Sequence, residues 1–203
     1  MSTDLELFRG WRGGDAPSGS ELYRRHFNAL YRFFVNKVPD CAEDLMQNTL
    51  LACIRYGDSV QKASSFRAYL FTIARNELYH HIGVSKPRAD LGVSSLADVN
   101  PSPTTFVGLI ERERSLLGAL RSLPVDAQLI LELQYWEELS TAELAEVLDA
   151  PIGTAKTRLR RAKQLLAAAL KRGTDPTESD AIERWVKSMR TKVAGLADEE
   201  PTS

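Results

Sequence analysis

The stretch from Ser140 to Ala169, STAELAEVLDAPIGTAKTRLRRAKQLLAAA, restricts the fold of this chain more than any other. Ser140 and Glu143 have the Ser-x-x-Glu spacing of a capping box, which satisfies two orphan amides at a helix start. The short helix they open, through Leu144, Ala145 and Leu148, meets a tight connection over 149–153 that contains Gly153. A second helix is predicted from about Thr154. Its apolar side is Ala155, Leu159, Ala162, Leu166 and Ala169, a helical period. Its opposite side carries Lys156, Thr157, Arg158, Arg160, Arg161 and Lys163, and between Pro151 and Arg172 every charged residue is positive. Two helices on a tight turn, the second amphipathic and basic, form a helix-turn-helix pattern. A helix of that kind fits the major groove, where its cations neutralise phosphates and its arginines pair with guanine. A solvated face of an ordinary bundle helix is the competing reading.

The whole chain is far less informative about charge. Its 203 residues carry a formal charge of −1, so acidic segments elsewhere balance the basic helix. Two cysteines, Cys41 and Cys53, and three histidines have no zinc-type spacing, so no metal site and no cofactor is predicted. Neither a glycine-rich phosphate loop nor a nucleophile–base pairing is visible, and no catalytic residue is assigned; an enzyme has little support. Without a signal peptide or a membrane-length apolar run, a soluble cytoplasmic protein with no membrane insertion is expected.

Read in order, the chain is all-α: two small helical domains joined by a flexible linker, the second containing the helix-turn-helix, plus a C-terminal amphipathic helix. A short helix at Leu5–Trp11 precedes one from Ser20 to Val38, with Tyr23, Phe27, Leu30 and Phe34 on one face. Pro39 stops it, and Asp40 with Glu43 is read as the cap of a helix from Cys41 to Arg55. After a polar loop, Phe66 to Ile82 form the next, with Leu70, Ile73, Ala74 and Leu78 as core. Its remaining surface mixes Phe66, Arg67, Tyr69, Phe71, Arg75, Asn76 and Tyr79. Such aromatics beside basic and amide groups suit unpaired bases, or simply pack. Residues 84–105, with Pro87, Gly92, Pro101 and Pro103, read as the linker. Beyond it, Leu109, Leu116, Leu117 and Leu120 mark one helix, Leu123-Pro124 breaks it, and Leu129, Ile130 and Leu133 mark the next. The domains are thus 1–83 and 106–173, followed by an extension, 174–203, whose Ile182, Trp185, Val186, Met189, Val193 and Leu196 make an apolar stripe.

Together these pieces resemble a bacterial RNA polymerase sigma factor of the extracytoplasmic-function type. The resemblance covers about Leu22–Ile82 and Leu120–Leu170, and three motifs carry it. Ala42-Glu43-Asp44-Leu45-Met46-Gln47 is similar to the family's AED-hydrophobic-x-Q segment. Ser65-Phe66-Arg67-Ala68-Tyr69-Leu70 with Ile73-Ala74-Arg75-Asn76 is similar to its SFRAWL and IARN. Leu123-Pro124, Leu139-Ser140 with Glu143-Leu144-Ala145, and the run Pro151 to Arg158 match its second domain.

The resemblance implies promoter-specific transcription initiation. Residues 1–83 would bind core polymerase and melt and recognise the minus-ten element, and residues 106–173 would read the minus-thirty-five element. Glu43, Asp44 and Gln47 would meet the clamp of the largest subunits, with the second domain near the flap. Phe66, Arg67, Tyr69, Arg75 and Asn76 would bind minus-ten DNA, and the loop Asp58–Ser65 with Asn76 would hold a flipped base. Thr154, Lys156, Thr157, Arg158, Arg160 and Arg161 would face the minus-thirty-five duplex. By family analogy alone, an anti-sigma factor would be a further partner.

The chain departs from the pattern where the family continues with Asp and Arg-Arg: His80, Gly83 and Val84 stand there, and Tyr69 replaces the usual Trp. The 174–203 helix is unexplained by the family and is read either as an inhibitory strap or as extra core. The alternative function is a stand-alone helix-turn-helix transcriptional regulator with a helical sensing or dimerisation domain.

Overall fold

A computed structural model describes residues 2–83 and 111–171. Within them the secondary structure is helical throughout: α1 Asp4–Arg12, α2 Ala16–Val35, α3 Ala42–Arg55, α4 Phe66–His81, α5 Glu111–Arg121, α6 Val125–Tyr135, α7 Thr141–Val147 and α8 Ile152–Lys171, with 3-10 turns at Pro39–Cys41 and Gly57–Lys62. The expected linker and the 174–203 helix with its Trp185 stripe lie outside the described residues.

α1 starts on a capping box that the sequence reading missed. The Thr3 amide donates to Glu6 Oε2 at 2.7 Å, and the Glu6 amide donates to Thr3 Oγ1. α2 begins at Ala16 rather than Ser20, because Asp15 accepts from the Ser18 amide and Pro17 suits a first turn. Its buried face also differs from the expected one. Leu22, His26, Leu30, Phe33 and Phe34 point inward, whereas Tyr23 is 43% exposed and Phe27 only half-buried.

The two helices meet where α2 has no side chain. A Cβ on Gly19 would lie 2.4 Å from the Trp11 indole. Gly19→Ala should therefore lower the urea midpoint, with overpacking costing about 1–3 kcal/mol against about 1 kcal/mol of helix propensity gained. In a Trp11→Ala background the same change should raise the midpoint.

His26 is buried beside Asp4, Nε2 to Oδ2 2.8 Å. Burial lowers its pKa below 6.5, with Asp4 only partly offsetting this. The unfolded chain thus takes up a proton that the folded ring refuses, so stability falls as pH drops below the unfolded value. Urea midpoints should decline between about pH 7.5 and about pH 5.5, and His26→Gln should flatten that decline.

α3 differs at its start. Asp40 does not cap it; Pro39–Cys41 is a 3-10 turn, and Cys41 at the N-cap makes no side-chain bond. α4 is as expected in its core, with Leu70, Ile73, Ala74 and Leu78 buried, and Phe71 joins them against Phe33, ring centroids 5.6 Å apart. Phe8 links α1 to α4 through Phe66 and Tyr69, at 5.3 and 5.8 Å.

In the second unit, α6 is buried almost all round, including Asp126, Gln128 and Glu132. One side packs on α8, and the other meets the first unit through a row of polar contacts. Lys37 pairs with Glu132, Arg32 with Glu137, and Tyr79 donates to Asp126. Both Lys37 and Glu132 are 1–3% exposed at their side chains. Burial lowers the Lys37 pKa and raises that of Glu132, and each charge opposes the other's shift.

Candidate DNA and polymerase interfaces

The helix-turn-helix forms as its capping signal implies. Ser140 Oγ accepts from the Glu143 amide, and Glu143 Oε2 accepts from the Ser140 amide at 2.8 Å. Asp149, at φ 48°, turns the chain, and α8 begins at Ile152, two residues before the expected Thr154. Gly153 lies inside the first turn of α8 and is not the turn residue. Asp149 occupies the left-handed conformation, which short polar side chains tolerate.

α8 buries Ala155, Ala162, Leu166 and Leu170 and exposes Lys156, Thr157, Arg160 and Arg161 along the opposite side. Thr154 and Arg158 are half-buried at the margins. Lys163 lies over the Tyr135 ring, 5.3 Å from its centroid. Gly153 is exposed, and the Thr157 hydroxyl donates to its carbonyl at 3.0 Å. The outer face of the first three turns is exposed and cationic at Lys156, Arg160 and Arg161, as an element entering the major groove requires.

The strand-binding candidates are placed less uniformly. Asn76 is exposed and Arg67 half-buried, whereas Phe66, Tyr69 and Arg75 are buried. The aromatic face expected from the sequence is thus turned inward. Phe66 packs on Phe8 and His26, and Tyr69 donates its hydroxyl to the Cys53 carbonyl at 2.8 Å. Burial pushes the Tyr69 phenol up to about 12, so it remains a donor at neutral pH. Arg75 lies against the Tyr79 ring at 5.0 Å.

Beside them opens a cleft of about 760 Å³, lined by Arg55, Tyr56, Asp58, Ser59, Lys62, Ala63, Tyr69, Thr72, Ile73, Asn76 and Glu146. The loop Asp58–Ser65 and Asn76 therefore share one concavity. Aromatic, amide, hydroxyl and cationic groups line it, the set that holds an unstacked base. Glu146 comes from α7 of the second unit, which the sequence does not reveal.

Glu43, Asp44 and Gln47 are all exposed on the first turns of α3. With no cap bond to satisfy, the two carboxylates form an acidic patch at a helix N-terminus. Next to it runs an aromatic ladder, in which Tyr31 joins Tyr23 and Phe27, two residues of the face expected of α2. Tyr23 and Phe27 lie 5.2 Å apart, and Phe27 and Tyr31 stack at 5.9 Å. Burial, with a smaller contribution from the Glu43 charge, raises the Tyr23 phenol above its ordinary value. The i, i+4, i+8 spacing of these rings was the available signal.

Among the described residues no group of three His, Cys, Asp or Glu side chains could hold a metal ion, and no helix is long and apolar enough to cross a membrane.

Among the described residues, helical units with a capped, basic helix-turn-helix in one and an amide- and aromatic-lined cleft in the other have the features of a DNA-binding protein of the transcription-factor class. The comparisons specify the family. Residues 22–86 match the family model "Sigma-70 region 2", and residues 113–166 match "Sigma-70, region 4". Over 172 residues the chain is 31% identical to the ECF RNA polymerase sigma factor BldN of Streptomyces coelicolor, covering 82% of this chain and 65% of that protein. It is 25% identical to the ECF RNA polymerase sigma-E factor of Haemophilus influenzae over 81% of this chain and 93% of the relative. It is 29% identical to the ECF RNA polymerase sigma factor SigM of Bacillus subtilis over 76% and 96%. The chain belongs to the sigma-70 family, in its extracytoplasmic-function group. Factors of this group direct promoter-specific transcription. The stand-alone regulator is not favoured, because the region 2 match spans the unit that such a regulator would use for sensing.

Proposed function

We propose that this chain docks on core RNA polymerase through the start of α3, captures the melted minus-ten strand beside α4, and reads the minus-thirty-five duplex with α8. The observation that carries this division is the coexistence of two unlike surfaces. The exposed basic side of α8 suits a duplex, whereas the cleft with Asn76 suits an unpaired base.

Residues 1–83 are assigned the polymerase and minus-ten roles, and residues 106–173 the minus-thirty-five role. Asp44, Glu43 and Gln47 supply charge complementarity to a basic clamp element, which sets orientation and association rate. Tyr23 extends this face with an aromatic anchor of the kind that concentrates binding energy. Arg67 holds the backbone, Asn76 reads the flipped base, and Tyr69, Phe66 and Arg75 shape the wall behind it. Lys156, Thr157, Arg160 and Arg161, flanked by Thr154 and Arg158, contact the duplex. The second unit lies near the flap, the protein works in the cytoplasm with the polymerase, and an anti-sigma factor is a further partner by analogy with the group.

Run-off transcription with core enzyme on a genomic promoter library tests this reading and reports both elements. Defined start sites that vanish with Asn76→Ala are expected; failure of the folded protein to direct any defined start overturns it. In a pull-down, Asp44→Ala with Gln47→Ala should reduce core enzyme retention roughly tenfold, while duplex binding by the isolated factor stays the same.

A further inference from the structure

We propose that Arg12, at the end of α1, is a positioning residue of the strand site. Laid over Gly57, it holds Asp58 and the turn that forms one wall of the cleft, and so sets which base the cleft accepts. This rests on the reading of that cleft as the site of the captured base.

α1 reaches both walls of the cleft. One wall is the 3-10 turn Gly57–Lys62, which supplies Asp58, Ser59 and Lys62, and the other is α4, which supplies Tyr69 and Asn76. On the first wall, Arg12 Nη1 donates to Asp58 Oδ1 at 2.8 Å. Behind the second, Phe8 is fully buried against Phe66 and Tyr69. A single packed helix thereby fixes the spacing across the opening. Both Phe8 and Arg12 precede residue 22, where the match to sigma-70 region 2 begins.

The helix that carries Arg12 is itself held fast. Trp11 lies against Gly19 of α2, and Asp4 takes both Arg25 and His26 from that same helix. The turn it steadies is less firmly anchored. Val60 is buried, but Asp58 is 91% exposed at its side chain, and Ser59 and Lys62 are exposed too. The Ser59 hydroxyl donates to the neighbouring Tyr56 carbonyl. Exposed residues that face a ligand keep their geometry where a packed neighbour dictates it.

Gly57 lets Arg12 come this close. It is buried, and a Cβ there would lie 2.5 Å from Cδ and 2.7 Å from Cζ of Arg12. Its φ is not positive, so the backbone accepts alanine. A methyl group would push aside the end of a flexible side chain rather than the turn. An exposed ion pair contributes little to stability. The contribution of Arg12 is to geometry, because a small misplacement at a site that must discriminate costs far more there than in unfolding.

The test is run-off transcription with core enzyme and the full chain, on one promoter from the library. Each base is placed in turn at the minus-ten position where the wild type discriminates most strongly. The readout is the ratio of transcript between the best and the poorest base. A merely structural loss lowers transcript from every version together and leaves this ratio alone. Arg12→Met should lower the ratio at least about fivefold, with core enzyme retention as in the wild type. Gly57→Ala keeps both charges and only displaces the guanidinium, and it should lower the ratio equally. Arg12→Met/Gly57→Ala should lower it no further, since both changes remove one contact. Arg12→Lys still reaches Asp58 and should stay close to the wild type.

An unchanged ratio in either single variant overturns the proposal, and so does a double variant whose losses add. If Arg12→Met does not fold, the ratio in Gly57→Ala decides alone. Starts that survive Asn76→Ala with the wild-type base preference remove the strand-site reading, and the proposal with it.

Discussion

Replacing Lys156, Arg160 and Arg161 of α8 together by alanine is expected to reduce transcription from promoters that depend on a minus-thirty-five element by at least roughly 100-fold, since each base-edge contact contributes about 1–3 kcal/mol and each phosphate contact adds a salt-dependent share. All three side chains lie on the exposed side of the helix, opposite Ala155, Ala162 and Leu166. Alanine, lysine and arginine have similar helix propensities, so far-ultraviolet circular dichroism should be unchanged. The loss should be strongest at low salt, where the removed phosphate contacts count most, and should spare initiation on templates whose minus-ten region is already unpaired. Equal loss on such pre-melted templates would mean that these cations act through polymerase rather than through duplex DNA.

The second large effect concerns the buried pair Lys37–Glu132. Lys37→Met removes the cation and leaves a carboxylate that is 3% exposed at its side chain without its partner. Breaking such a pair on one side costs about 3–5 kcal/mol. Because the pair bridges the two units, the loss should appear as their separation at a lower urea concentration than either unit's unfolding. Lys37→Met with Glu132→Leu replaces both charges by apolar groups and should return docking to wild-type stability or above it, since buried pairs often lose to hydrophobic isosteres. A Lys37→Met chain whose units part at the wild-type urea concentration would show that water reaches this pair in solution.

The elements that could be read from the sequence are those specified locally. The α7 start was legible because Ser140 and Glu143 satisfy each other within one turn. The two faces of α8 were legible because charge and apolar period agree from Ala155 to Leu166. The α4 core was read correctly for the same reason. Local rules misjudged α2 because its aromatics repeat at a helical period whichever side faces inward. Tyr23 and Phe27 continue the stripe that Leu30 and Phe34 begin, yet only the latter pair are in the core. Asp40 and Glu43 have capping-box spacing, but Pro39 directs the chain into a 3-10 turn and the cap bond is never made.

The largest gap concerns contacts between distant residues. Nothing near Asp126 or Glu132 signals that these acids are buried, because their partners Tyr79 and Lys37 lie 47 and 95 residues away. The inward orientation of Phe66 and Tyr69 has the same origin. It depends on Phe8, from a helix whose capping residue Thr3 the sequence reading passed over.

The acids laid on Arg32, Lys37 and Arg67 have a consequence for the resting protein. A bacterial cell is crowded with RNA, and any uncovered groove of amides and guanidinium groups would fill with it. With Glu137, Glu143 and Glu146 already on those donors, any RNA that the free chain attracts is left the exposed cations of α8.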